Sequence, residues 1–228
     1  MPNRPSVFSE ANMRSLRGRQ KQRARLTQAE RTEISETLMF NAAMELIGTQ
    51  GANRTTLKEI CEQAGYSRGL ANYRFGSKDT FLEHLLKHFN QAWQDNLDRH
   101  VGDLRGQRAL LAANQALETF LKDNASYMRG GYLIWYENIG ADNPINAKLP
   151  SNHQAYRQDV ARWIQEGIDD GEISPHLNPT EFGHFYCSWV FGSIFQWLAE
   201  PEAVDLPSMF RCARNQFVAL LELRRMHD

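Results

Sequence analysis

Two helix-start signals stand ten residues apart in the stretch AGYSRGLANYRFGSKDTFL, where Ser67 opens one segment and Ser77 the next. An isolated helix shorter than about 12 residues is marginal in water. Whatever forms between Ser67 and Phe75 is therefore held by neighbours, and its purpose is presentation rather than stability. This confines the chain to folds in which a very short helix is supported by longer ones.

The rest of the sequence supplies such helices and almost nothing else. Sustained period-two alternation is absent, there is no Asn-Gly or Asp-Gly hairpin turn, and helical periodicity runs nearly throughout, so the expected fold class is all-α. Thr27 followed by Glu30 reads as a capping box, after which Ile34, Leu38, Ala42, Leu46 and Ile47 recur at helical spacing until Gly51 stops the helix. Thr55 or Thr56 starts a second, short helix through Leu57, Ile60, Cys61 and Ala64, ended by Gly65. Ser67 starts a third, to about Arg74, and Ser77 a fourth with an apolar stripe of Phe81, Leu82, Leu85, Leu86, Phe89 and Trp93. Further helices are expected at about 107 to 123, 125 to 138 and 153 to 170, then from Asn178 or Thr180 to Ala199, and in a last helix to Arg225. GADNPINAKLPSN is expected as a polar, proline-containing loop or interrupted turn between the second and third of these.

The net charge of -1 conceals an asymmetry. Residues 1 to 78 carry 13 Lys+Arg against 7 Asp+Glu, whereas residues 79 to 228 carry 13 against 20. A basic front on an acidic body suits a polyanion. Residues 1 to 26 are read as a basic flexible arm in which Arg14, Arg17, Arg19, Lys21, Arg23 and Arg25 could reach a minor groove or track phosphates, because no apolar face is visible there. Cys61, Cys187 and Cys212 are widely spaced among apolar residues and read as free thiols. No signal peptide is visible, and the most apolar run, Phe185 to Leu198, is short of the roughly 20 residues of a membrane span. The expectation is a cytoplasmic protein without membrane contact.

A second helix ended by Gly65, a short turn and a short helix started by Ser67 make a helix-turn-helix. In that motif the second helix enters the major groove by its first turn. Ser67, Arg68 and Gly69 occupy that turn; an arginine can read guanine bidentately, and a glycine admits close backbone approach. Thr56 and the Ser77/Lys78 pair lie at helix starts that favour phosphate. Tyr73 can offer its hydroxyl to a phosphate while its ring rests on the head; Asn72 and Arg74 complete the candidate DNA-binding set.

With these residues in place, the segment from Thr55 to Leu86 resembles the DNA-binding head of the TetR family of transcriptional regulators. Thr56, Ile60, Ala64, Gly65, Ser67, Gly69, Phe75, Ser77 and Lys78 match the family pattern in register; Cys61, Tyr66, Asn72 and Arg74 depart from it. The resemblance implies a head over 27 to 90, formed by three helices and joined by a fourth to a helical effector-binding and dimerisation body over 91 to 228, about nine helices in all. It implies a homodimeric repressor on a palindromic double-stranded DNA operator, released by a small apolar or aromatic effector, with no cofactor. Phe89, Trp93, Phe120, Tyr132, Trp135 and Tyr136 are the candidate effector lining, among aromatics that include Tyr127 and Trp163. The last two helices would form the dimer's bundle, Gly183, Gly192 and Ser193 allowing close approach and Phe210, Phe217, Leu220 and Leu221 giving an apolar face.

Other chemistry finds little support. His84 and His88 stand at i and i+4, but no third ligand accompanies them, so no metal site is expected. Phosphate loops and nucleophile elbows are missing, and His184 near Cys187 lies in surroundings too apolar for a thiolate. The competing expectation is a small-molecule-binding helical protein whose head has altered or lost sequence-specific recognition, resting on Asn72 and Arg74.

Overall fold

The computed structural model of the chain describes residues 10–21 and 26–223. Among them are ten α-helices and no strand: α1 (Glu10–Lys21), α2 (Gln28–Gln50), α3 (Leu57–Ala64), α4 (Arg68–Phe75), α5 (Lys78–Val101), α6 (Gly106–Asp123), α7 (Ala125–Glu137), α8 (Pro144–Asp169), α9 (Pro179–Ala199) and α10 (Leu206–Leu223). No helix among the described residues is long and apolar enough to cross a membrane.

The helix starts follow local chemistry. Thr27 and Glu30 form the expected capping box on α2. Asn178 accepts from the backbone N–H of Thr180 and Glu181 at the start of α9, with Pro179 in the first turn.

Two segments differ from expectation. Of the proline-containing stretch expected as a loop or interrupted turn, residues 140–143 are non-helical, but the remainder is the first part of α8, which runs through Pro150. Pro144 begins this helix, the Asn143 side chain accepts from the Asn146 N–H at 2.9 Å, and Ile145 is buried. A capped, anchored first turn tolerates the one backbone bond that Pro150 removes. The basic segment expected as a flexible arm is helical where described, as α1. Met13 and Leu16, half-buried one turn apart, provide the narrow apolar side that the sequence pattern does not make evident. Arg23 and Arg25 lie outside the described residues.

The described residues divide into two compact units. One comprises residues up to 92 together with 123–147; the other comprises 93–122 and 148–228. In the first, Met39, Met44, Ile47, Ile60, Phe81 and Leu85 are fully buried. Here α7 lies against α2 at two glycines: a Cβ on Gly130 would fall 2.6 Å from the Met44 carbonyl oxygen, and one on Gly48 3.2 Å from that of Ser126. In the second unit, Leu110, Ile164, Ile194 and Phe210 are fully buried, and α8 and α9 approach closely where a Cβ on Gly183 would lie 2.7 Å from the Arg157 carbonyl oxygen.

Candidate nucleic-acid interface

The turn between α3 and α4 is built by Gly65, whose left-handed backbone (φ 76°, ψ 32°) lets its N–H close onto the Cys61 and Glu62 carbonyls. The Tyr66 N–H returns to the Cys61 carbonyl at 2.8 Å and completes the reversal. On α4, Ala71 and Phe75 face inward, and the Phe75 ring meets Phe81 edge-on at 5.0 Å. Arg68, Gly69, Asn72 and Tyr73 consequently share the exposed outer face. Tyr73 is 89% exposed, so its ring does not rest on the head as expected but projects outward with its hydroxyl. Ser67 is at the N-cap position, yet its side chain makes no capping bond.

Gly69 has a negative φ, and a Cβ added there would touch only the Ser67 hydroxyl, at 3.8 Å. Nothing inside the protein requires glycine at this exposed helical position, where it costs about 1 kcal/mol relative to alanine. Gly69→Ala is therefore expected to raise stability by about 0.5 to 1 kcal/mol in chemical denaturation, while weakening DNA binding in a gel-shift titration. A gain on both counts would remove the case for close approach at this residue.

Three candidates have internal roles that differ from expectation. Arg74 turns into the head: its guanidinium donates to the Thr32 carbonyl at 3.2 Å and to the Ser35 hydroxyl at 2.5 Å, and lies 3.9 Å from the Glu36 carboxylate. Thr56 is engaged in a capping box, with its N–H donating to the Glu59 carboxylate at 2.8 Å and its hydroxyl accepting from the Glu59 N–H at 3.3 Å. The Thr56 hydroxyl bond holds the Glu59 carboxyl below the usual range, so a side-chain anion already occupies the helix start assigned to phosphate. The pattern Thr-x-x-Glu is readable in the sequence and signals this arrangement.

Lys78 donates to the carbonyls of Ala52 at 2.6 Å and Asn53 at 3.4 Å, tying α5 to the loop before α3. The Glu137 carboxylate, on α7, accepts from the N–H groups of the same two residues at 3.2 and 2.9 Å. Arg129 of α7 adds a bond to the Gly48 carbonyl at 2.7 Å. No local sequence signal reveals this clasp, which joins residues 25 to 85 apart. Ser77 behaves as expected, its hydroxyl accepting from the Thr80 N–H at 3.1 Å.

The candidate effector residues form two groups. Phe89, Tyr132 and Trp135 meet edge-on at 5.0 to 6.3 Å, with Tyr136 beside Tyr132 at 6.2 Å, all in the first unit. Burial pushes the Tyr136 hydroxyl up to about 12. Trp93 and Phe120 form a pair at 5.8 Å in the second unit. Burial likewise raises the Cys187 thiol to about 11, keeping it protonated and poorly nucleophilic at neutral pH. His84 and His88 present their rings to Phe75 and Phe40 at 5.5 and 5.2 Å.

Of the candidate dimer residues, Gly183, Ser193, Phe210, Phe217 and Leu221 are buried within the protomer. Trp189 packs edge-on against both Phe210 and Phe217, at 4.9 and 5.6 Å, so these phenylalanines serve the protomer's own core. Gly192 has open space at its Cβ position, and Leu220 is exposed. Two apolar residues that sequence reasoning does not single out, Phe185 and Phe195, are 53% and 58% exposed on α9.

The family model of bacterial regulatory proteins, tetR family, matches residues 40–85, which include the turn and α4. The HTH-type transcriptional regulator UidR of Escherichia coli is 22% identical over 173 residues, spanning 75% of this chain and 84% of that protein. The HTH-type transcriptional regulator BetI of Burkholderia ambifaria is 32% identical over 87 residues, spanning 36% of this chain and 45% of its own. Among solved structures, SmeT, the repressor of the Stenotrophomonas maltophilia multidrug efflux pump SmeDEF, aligns with a TM-score of 0.65 at 20% identity, covering 81% of this chain and 89% of that one. Its complex with triclosan aligns at 0.67, with 18% identity over 82% of this chain and 90% of that one.

Proposed function

The chain belongs to the TetR family of bacterial transcriptional regulators, and from that premise we propose that it is a homodimeric repressor that binds a palindromic operator through α4 and releases it when a small molecule binds. The observation that carries this reading is the outer face of α4, where Arg68, Gly69, Asn72 and Tyr73 stand exposed while Ala71 and Phe75 hold the helix from behind. Arg68 is the base reader in this reading, through paired bonds to guanine, and Ser67 and Tyr73 bond phosphate.

Support for a dimer comes from the exposed apolar residues Phe185, Phe195 and Leu220 with the open position at Gly192. A two-fold partner would cover them and set two heads on a palindrome. Support for a small-molecule effector comes from SmeT, seen with triclosan, and from the buried aromatic groups. Asn114 is 1% exposed, and neither its amide nitrogen nor its carbonyl oxygen makes a hydrogen bond of good geometry; the Trp163 indole N–H is similarly unmatched. Tyr186 interacts with Asn114 without meeting that geometry. Buried polar groups normally have partners, so an effector with an apolar body and a donor-acceptor group suits them. The loop at Ala52 and Asn53, held by Lys78 from α5 and Glu137 from α7, is the route by which a shift of either helix would reach α3 and α4. Release requires that effector affinity differ between the bound and released conformations.

The test is selection of duplexes from a random-sequence pool by the full chain, followed by titration of Arg68→Ala on the enriched site. The substitution should cost about 1 to 3 kcal/mol and relax preference at one base pair per half-site. No enriched sequence, or an enriched site bound equally by the variant, would count against this reading.

A further inference from the structure

We propose that α1 is a second DNA-contacting element, a basic helix whose arginines bond the phosphates of the duplex flanking the half-site that α4 reads. The inference rests on the reading of the chain as a DNA-binding regulator, and its starting point is where the positive charge lies. From Thr27 to Lys78 the head carries six basic and six acidic residues: Arg31, Arg54, Lys58, Arg68, Arg74 and Lys78 against Glu30, Glu33, Glu36, Glu45, Glu59 and Glu62. The whole excess of the first 78 residues therefore lies before Thr27.

The internal bonds sharpen this deficit. Arg74 is turned toward Ser35 and Glu36, and Lys78 is tied to the Ala52 and Asn53 carbonyls. The Glu59 carboxylate stands at the start of α3. Phosphate binding supplies essentially all of the sequence-independent affinity of a DNA-binding protein. An electrically balanced head with two of its cations engaged internally is poorly supplied for that task.

The structure gives α1 a definite place. Its sequence, EANMRSLRGRQK, contains four basic residues and one acidic one. A 12-residue helix of this composition would be marginal by itself, and here it is held by Met13, whose sulfur accepts from the Asn41 amide at 3.0 Å. Met13 and Arg17 line one cleft with Leu38, Asn41 and the carboxylate-bearing Glu45 of α2 and with Gln63 and Ala64 of α3. Gln63 and Ala64 form the last turn of α3, immediately before Gly65 and the start of α4. The helix is thus fastened beside the turn that aims the recognition helix, and Arg14 and Arg17 are exposed on it. Fastening distinguishes this arrangement from a disordered basic tail: the backbone that carries Arg14 and Arg17 is already helical and held, so less backbone entropy is lost when they meet phosphate.

Phosphate contacts fix position but carry no sequence information directly, which separates this role from that of Arg68. The probe is the operator duplex enriched by the full chain, with a scrambled duplex of equal length, titrated from 50 to 300 mM KCl with wild type, R14Q/R17Q and R14K/R17K. The expected result is that R14Q/R17Q lowers the slope of log K against log salt by about 0.9 for each phosphate that is no longer neutralised, or by about 2 to 4 in a dimer, on both duplexes, while the preference for operator over scrambled sequence is unchanged. R14K/R17K, which keeps the charge, should retain the wild-type slope. Far-UV circular dichroism and the melting midpoint identify any variant whose fold has changed; the lysine pair then carries the comparison through hydroxyl-radical footprints, expected to extend beyond the half-site. An enriched operator bound by R14Q/R17Q with an unchanged slope overturns this inference alone, as does a wild-type footprint confined to the half-site. Failure to enrich any sequence overturns the regulator reading and this inference with it.

Discussion

Arg74→Ala is expected to destabilise the protein by roughly 3 kcal/mol, because the guanidinium makes charge-assisted bonds, worth about 1.5 to 3 kcal/mol each, where water does not readily replace them. The side chain is 13% exposed and bonds the Thr32 carbonyl and the Ser35 hydroxyl, linking the end of α4 to the first half of α2. The contact with Glu36 adds little, since that carboxylate is 37% exposed and 3.9 Å away. Arg74→Lys should recover only part of the loss, because an ammonium cannot reproduce the guanidinium fork. Equilibrium urea unfolding measures the difference, and hydrogen exchange should show protection lost first in α4 of the alanine variant. Equal stability of wild type and Arg74→Ala would place the guanidinium in solvent and return it to the DNA-binding set.

This assignment alters the case for a head without sequence-specific recognition. Asn72 and Arg74 are its support in the sequence, as departures from the family pattern. Arg74 is a structural cross-link in this chain, so its departure concerns how α4 is braced and leaves the outer face intact. Asn72 remains on that face beside Arg68 and Tyr73.

Much of the helix-turn-helix is legible from sequence because its signals are local. The capping box at Thr27 and Glu30, the left-handed Gly65 and the cap at Ser77 each act within four residues. The outer face of α4 follows from its two buried positions. What escapes sequence reading depends on partners far away in the chain. Nothing near Lys78 shows that its ammonium will meet the carbonyls of Ala52 and Asn53, and nothing near Glu137 shows that it will take the N–H groups of the same residues. Phe210 and Phe217 illustrate the same limit: helical spacing identifies an apolar face but not whether Trp189 of the same protomer or a second copy covers it. In α1 the difficulty is scale, since one methionine and one leucine are a faint stripe until Asn41 is found opposite.

Gly130→Ala should have a large effect of the opposite sign to Gly69→Ala. By helix propensity alone both substitutions gain about 1 kcal/mol. At Gly130, however, the new Cβ would stand 2.6 Å from the Met44 carbonyl oxygen, 2.9 Å from its sulfur and 3.0 Å from its Cα. The sulfur can swing aside; the backbone oxygen and Cα cannot move without displacing α2 from α7. Overpacking of this kind costs about 1 to 3 kcal/mol and occasionally more, and the backbone contacts place Gly130→Ala at the upper end, a net loss of about 2 kcal/mol after the propensity gain. For a chain of this length that lowers the melting midpoint by roughly 4 to 8 °C. The same displacement loosens the Arg129 bond to Gly48 and the Glu137 grip on Ala52 and Asn53, because both arise from α7 on either side of the glycine. Calorimetry on the two variants separates the effects: a raised midpoint for Gly69→Ala with a lowered one for Gly130→Ala means that the fold does not need glycine at 69 and does need it at the joint between α2 and α7. Equal midpoints would mean that α2 and α7 have slack at Gly130, and that the clasp on the α2–α3 loop does not depend on their close approach.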